Sequence, residues 1–151
     1  MNALQVDLTR HVRSWTPSVK TLRAWTGAAL GRRAAGRELS VRVVGAAESR
    51  KLNARYRRRD KPTNVLSFPA APLANVAPRP LGDLVVCPQV LRAEARAQGK
   101  SLRAHWAHLI VHGALHLIGY EHERAADARR MERREIAVLQ RLGFGNPYRS
   151  V

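Results

Sequence analysis

Two hydrophobic periods alternate along this chain, and their order outlines a fold. Asn2 to Leu8 alternates enough for a short strand, and Pro17 opens an amphipathic helix to about Arg33, with Leu22, Trp25, Ala29 and Leu30 on one side. Gly36 breaks that helix. From Glu38 to Val44 the period drops to two, with Leu39, Val41 and Val43 sharing one face of a half-buried strand. A helix from Ala46 to Tyr56 follows, then a polar turn through Arg59 and Asp60, then a strand from Asn64 to Phe68 that ends at Pro69. Pro69 to Pro80 is too rich in proline for a regular element and reads as an exposed surface loop rather than a lid. Leu81 to Cys87 is a further strand, and Pro88 opens a helix over Gln89 to Gln98 that Gly99 ends. Ser101 caps a long helix carrying His105, His108, His112 and His116, and a final helix runs from about Glu123 to Leu142. Strands separated by helices in this order predict an α+β fold: a mixed sheet of about four strands covered by about five helices, in one domain over residues 1–151.

Composition narrows the setting. The 151 residues include one cysteine, so no internal disulfide staples the core, and Cys87 reads as a small buried hydrophobe in a reducing compartment. Asp7, Arg10 and Arg13 interrupt any apolar N-terminal run, against a secretory signal. The least charged stretch, Trp106 to Tyr120, is shorter than the roughly 20 residues a bilayer span needs, and it carries histidines. These features predict a cytoplasmic chain with no membrane contact, a monomer by default. The 27 Lys+Arg against 11 Asp+Glu leave +16 at pH 7, a surplus that draws polyanions, of which nucleic acid is the usual cytoplasmic one. Most of the surplus is arginine, the better phosphate fork, although a compositional bias of the source would produce part of it.

The chemistry concentrates in His112-Gly113-Ala114-Leu115-His116-Leu117-Ile118-Gly119-Tyr120-Glu121-His122. Side chains four residues apart share a helix face, so His112 and His116 can grip one ion together. Gly119 can take the left-handed conformation that ends a helix, and the returning chain then delivers His122 from outside. Three protein ligands with a fourth position left for water is the arrangement of a catalytic zinc, whereas structural zinc usually has four ligands rich in cysteine. One histidine on an apolar helix is usually a core residue with a hydrogen-bond partner; the combination is what points to one Zn2+ per chain. His105 and His108 fall near the same stripe and could compete as ligands, but read more economically as partly buried neighbours or as partners behind the ligands, because only the later pair is followed by a turn that brings a third. The spacing equals the metzincin protease pattern H-E-x-x-H-x-x-G-x-x-H, except that Gly113 occupies the glutamate position. That glutamate is the proteases' general base, so its absence argues against ordinary peptide hydrolysis.

Two further segments join the histidine motif. Leu52-Asn53-Ala54-Arg55-Tyr56-Arg57-Arg58-Arg59-Asp60-Lys61-Pro62-Thr63-Asn64-Val65-Leu66-Ser67-Phe68-Pro69 is similar to L-N-x-x-Y-R-x-x-D-x-P-T-D/N-V-L-S-F-P, and Leu81-Gly82-Asp83-Leu84-Val85-Val86-Cys87 carries G-D-I/L-x-I/V. With the histidine segment these resemble, from Val41 onward, the YbeY family of bacterial endoribonucleases, which carry H-G-x-x-H-x-x-G-Y-D/E-H and take part in ribosomal RNA maturation. Glu121 stands where aspartate is commoner. The resemblance implies a metzincin-like zinc site and a zinc-dependent endoribonuclease specific for single-stranded RNA. It would act in 3′-end maturation of 16S rRNA and in ribosome quality control, with the small ribosomal subunit and assembly proteins as partners and no DNA. It also implies His112, His116 and His122 as ligands and Arg57 as the functional arginine, with metal-bound water or the RNA 2′-hydroxyl as the attacking group. Arg55, Arg58, Arg59 and Lys61 then track phosphates. Without the resemblance, Arg57 reads as a surface arginine paired with Asp60. Ser67 and Phe68 match family positions near the cleft but are assigned no chemistry. Glu123, Asp127, Glu132 and Glu135, among the arginines of the last helix, read as a solvated, salt-bridged face, and Trp15, Trp25 and Trp106 as core. Two other readings stand beside this one: a non-catalytic zinc-containing ribosome-assembly factor, and a metalloprotease-like hydrolase.

Overall fold

The two faces of one sheet bury different partners, and that asymmetry distributes the helices. The computed structural model describes residues 3–71 and 77–149. In chain order the elements are β1 (Gln5–Arg10), α1 (Val19–Leu30) with a single 3-10 turn (Gly31–Ala34) after it, β2 (Arg37–Val43), α2 (Ala46–Arg57), β3 (Val65–Pro69), β4 (Arg79–Val86), α3 (Pro88–Gln98), α4 (Leu102–Leu117) and α5 (Ala125–Arg141). The strands lie in the order β1-β2-β4-β3, with β1, β2 and β4 mutually parallel and β3 antiparallel to β4. This is the mixed four-stranded sheet with five helices that the periodicities predict.

Several boundaries differ from the pattern for identifiable reasons. The first strand reaches Arg10 because its ladder with β2 continues to Arg10 opposite Val43, past the point where apolar alternation stops. The first helix starts after Ser18, whose Oγ accepts the Thr21 N–H at 3.1 Å, and stops at Gly31, where φ is 57°. Arg79 and Pro80 already pair with Arg37 and Glu38, before a register shift between Glu38 and Leu39, so β4 begins ahead of its alternating run. Residues 72–76, the middle of the expected proline-rich loop, lie outside the described residues.

On one face Val6, Leu39, Val41, Val43, Leu84 and Val86 join Leu22 and Trp25 of α1 and Trp106 and Ile110 of α4 in the main core. On the other face Val44, Leu66 and Val85 form a small second cluster with Leu52 of α2 and Phe68. Cys87 is buried, as its apolar reading requires, and Trp15 is not: it is 49% exposed and meets only the edge of Trp106. Helix α4 is the central rod, packed on β3 and β4 and flanked by α1, α3 and α5. Each large apolar side chain it buries is worth roughly 1.5–3 kcal/mol, so its axis is held firmly enough to carry polar groups along one stripe.

A glycine permits the close approach of α4 to the sheet. A Cβ at Gly113 would lie 2.8 Å from Leu84 Cδ2 and 3.3 Å from Ser67 Oγ, while Ser67 Oγ donates to the Gly113 carbonyl at 3.2 Å. Leu84 is fully buried and has little room to yield. Gly113→Ala should therefore lower stability by about 1–3 kcal/mol through overpacking, although alanine is the better helix former by about 1 kcal/mol. Denaturant unfolding measures this, and an unchanged midpoint would show that Leu84 moves aside freely.

Candidate metal centre

The end of α4 builds the centre. The Tyr120 N–H bonds the Leu115 carbonyl at 3.1 Å and the Gly119 N–H bonds the His116 carbonyl at 3.1 Å, with φ of 101° at Gly119. This pair of bonds satisfies the last carbonyls and reverses the chain. The reversal aims the Tyr120 carbonyl back at the helix, where it accepts from His116 Nδ1 at 2.8 Å. One turn earlier, His112 Nδ1 lies 3.2 Å from Glu135 Oε1. Both partners are acceptors, which assigns the imidazole protons to Nδ1 and leaves both Nε2 atoms with bare lone pairs. Those two Nε2 atoms face each other at 3.2 Å. Converging lone pairs repel unless a cation lies between them, and two nitrogens about 2.1 Å from one tetrahedral ion stand roughly 3.4 Å apart. The ring of His122 lies 4.7 Å from that of His116 and 5.6 Å from that of His112, and one ligand atom from each of the three falls within 4.8 Å of the others. The three side chains are thus positioned to hold a metal ion.

Behind the ligands sits a carboxylate that the sequence pattern misplaces. Glu135 is 1% exposed, not part of a solvated face. Its Oε1 takes His108 Nε2 at 2.9 Å and His112 Nδ1 at 3.2 Å, and Tyr148 Oη donates to both oxygens at 3.0 and 2.9 Å. Burial pushes its pKa up, but the bonds from His108 and His112 and the positive charge these rings can carry together outweigh burial and hold it down at about 2. His108 therefore bonds the carboxylate that orients a ligand, and His105, also buried, bonds Glu94 at 2.9 Å. Burial and the neighbouring charges of His112 and His122 lower His116 to about 4, so it is a neutral, ready ligand at pH 7. The only signal for Glu135 in the sequence is its place on the apolar side of α5, near Met131, Val138 and Leu139.

In front of the histidines opens a cleft of about 540 Å³ whose walls include Arg57, Arg59 and Lys61. Its geometry depends on two residues that sequence reasoning left unassigned. Ser49 Oγ donates to the Thr63 carbonyl and accepts the Thr63 N–H, each at 2.9 Å, and buried Asn53 donates to the Lys61 carbonyl at 2.9 Å. These bonds staple the turn after α2 onto the helix that presents Arg57. Asp60 pairs with Arg50 at 2.7 and 3.0 Å rather than with Arg57, and among the described residues no ion pair engages Arg57. The Arg57 charge contributes to the lowering of His116, which places it near the ligands. Arg58 ends α2 with a left-handed φ of 57° and is not part of the cleft wall, and Arg55 lies over the Tyr56 ring beside a separate hollow with Arg50 and Lys51. Glu121 faces another hollow with Arg33 and Arg130, and Glu123 is the one carboxylate among the described residues of the cleft wall.

The family model described as Endoribonuclease YbeY matches residues 8–143. The chain belongs to the YbeY family. Proteins named Endoribonuclease YbeY from Pseudomonas putida and Pseudomonas entomophila are 49% and 47% identical to it over 146 residues, which is 96% of this chain and 93% of theirs. The solution structure of TM1509 from Thermotoga maritima shares the fold, with a TM-score of 0.60 at 21% identity over 96% of this chain and 99% of that one. The YbeY histidine segment is thus the part of the chain whose side chains converge. Among the described residues no helix is long and apolar enough to cross a membrane.

Two outcomes follow from the geometry. Glu135→Gln removes the charged acceptor that orients His112, and affinity for a divalent transition metal, measured by competition with a chelator, should fall about 10- to 100-fold. Unchanged affinity would show that His112 is oriented without it. In metal-free protein the unfolded chain protonates His116 near pH 6.5 whereas the folded chain does so only near 4. Its stability contribution is therefore complete above 6.5 and is lost as pH falls toward 4. Wild-type unfolding free energy should drop through that window by about 1–2 kcal/mol more than that of His116→Asn, after allowance for solvent screening.

Proposed function

We propose that this chain is a zinc-dependent endoribonuclease for single-stranded RNA that matures the 3′ end of 16S rRNA and serves ribosome quality control, acting in the cytoplasm on the small subunit. The observation that carries the reading is the convergence of two Nε2 lone pairs with an unpaired arginine in one cationic cleft. His112, His116 and His122 would hold one Zn2+, a donor set of three imidazoles that fits the metal. Bound there, zinc supplies Lewis-acid charge and a water acidic enough to ionise near pH 7.

The chain's own residues do the rest. Cleaving a phosphodiester builds negative charge on the nonbridging oxygens, and the Arg57 fork, with no carboxylate to neutralise it, meets that charge more strongly in the transition state than in the ground state. Arg59 and Lys61 hold neighbouring phosphates in register. Arg55 and Arg58, away from the cleft wall, would touch RNA only beyond it. The cleft, of about 540 Å³, is where the phosphates of one extended strand would lie. The peptidase reading loses support at Gly113, because a side chain there would be directed at Leu84 and Ser67.

The test is cleavage of a labelled single-stranded ribosomal RNA fragment by metal-stripped and zinc-reconstituted protein, with Arg57→Ala alongside. Cleavage should require zinc, and Arg57→Ala should reduce kcat about 100- to 1000-fold with zinc affinity unchanged. Absence of cleavage by folded, zinc-loaded wild type would transfer the weight to a non-catalytic assembly factor.

A further inference from the structure

A second groove of about 700 Å³ opens beside the cleft and shares Asn64 and His112 with it. Its walls come from the end of α3, the His105–His108 stretch of α4 and the tail that carries Tyr148 and Arg149. His112 belongs to the histidine group, whereas Lys100, Arg149 and the exposed surface of Tyr148 have no place in it.

Two observations define what it would hold. The first is charge. Lys100 and Arg149 are part of the wall, and its carboxylate, Glu94, is already engaged by His105 Nε2 at 2.9 Å and by Asn64 Nδ2 at 3.1 and 3.2 Å. The second is Tyr148. Its hydroxyl is spent on Glu135, its ring stands edge-on to His108 at 5.2 Å, and its N–H bonds Asn146 Oδ1 at 2.8 Å, yet the residue remains 46% exposed. A tyrosine whose hydroxyl is held and whose surface is half open offers an aromatic face to a ligand. Such a face stacks a base with little loss of side-chain entropy.

An RNA strand with one phosphate at the histidines and Arg57 must leave the cleft in two directions. Arg59 and Lys61 line the one; the groove continues the other, along α4 toward its start. We infer that this groove is a nucleotide subsite, in which a base next to the scissile phosphate stacks on Tyr148 while Lys100 and Arg149 hold the following phosphate. The inference rests on the ribonuclease reading and adds a second, metal-independent contact to it. Stacking is tolerant of base identity, so this subsite sets the footprint of the substrate rather than its sequence.

The test is binding of labelled single-stranded RNA to the full-length, metal-free chain by fluorescence anisotropy, so that neither cleavage nor metal loading enters the readout. Tyr148→Ala should weaken binding about tenfold, and Tyr148→Phe, which keeps the ring and loses the bond to Glu135, should bind like wild type. Lys100→Ala should weaken binding and reduce the salt slope by about 1. Wild type that binds no single-stranded RNA would overturn the ribonuclease reading itself. Wild type that binds while Tyr148→Ala binds equally well would overturn the subsite alone, and so would equal weakening by Tyr148→Phe and Tyr148→Ala, which would trace the effect to Glu135. Should Tyr148→Ala fail to fold, Lys100→Ala decides: unchanged affinity and salt slope would overturn the subsite.

Discussion

Helix α4 lies directly on β3 and β4 because nothing projects from Gly113 to hold it off. With the helix seated at that depth, Ser67 Oγ reaches the Gly113 carbonyl, and the cleft takes its walls from β3 on one side and from the histidine stripe on the other. A helix even a methyl group further out would alter the gap between Ser67 and His112, which both line the cleft, and with it the distance from the histidines to Arg57. Close packing transmits such shifts because interiors deform little. The site's dimensions are therefore set in the core, beneath the chemistry.

The polar groups behind His112 and His116 are arranged against their own solvation. A buried carboxylate is costly unless hydrogen bonds replace its water, and Glu135 replaces it with His108, His112 and Tyr148. Those three come from α4 and from the tail, so the ligand pair is braced by chain segments distant in sequence. The cost of burial is offset only when all donors are in place, and this network specifies one arrangement of α4, α5 and the tail. In a chain of +16, a carboxylate held ionised there also lowers the local repulsion that a metal ion would meet.

What was legible in the residues was whatever has a local cause. Period-two runs marked the strands, Ser101 marked a helix start, and His112, Gly119 and His122 carried the centre in their spacing. What was not legible depends on partners far along the chain. Glu135 looks like the other acids of an arginine-rich helix until α4 is packed against it, and Trp15 looks like core until the chain before α1 is placed outside it. The pairing of Asp60 with Arg50 rather than with Arg57 depends on where the turn after α2 is stapled. Spacing predicts contacts within a turn or two; it does not predict which surface a long-range contact removes from solvent.

Gly113 joins the packing to the chemistry. In the metzincin pattern the residue after the first histidine is the general base, and on this chain the same backbone position is directed at Leu84 and Ser67. A side chain restored there has to displace the tip of a fully buried leucine, so the packing and the protease base compete at this one residue. The cleft lacks that base, and its wall carries Arg57 of α2, which no ion pair engages among the described residues. Apart from Glu123, the charged groups among the described residues of the cleft wall are cations set beside imidazoles, and such a wall favours negative charge that accumulates on oxygen. Phosphodiesters, the bonds an endoribonuclease cleaves, accumulate such charge, and the chain's +16 draws the same polyanion, so the cleft wall and the overall charge act in one direction.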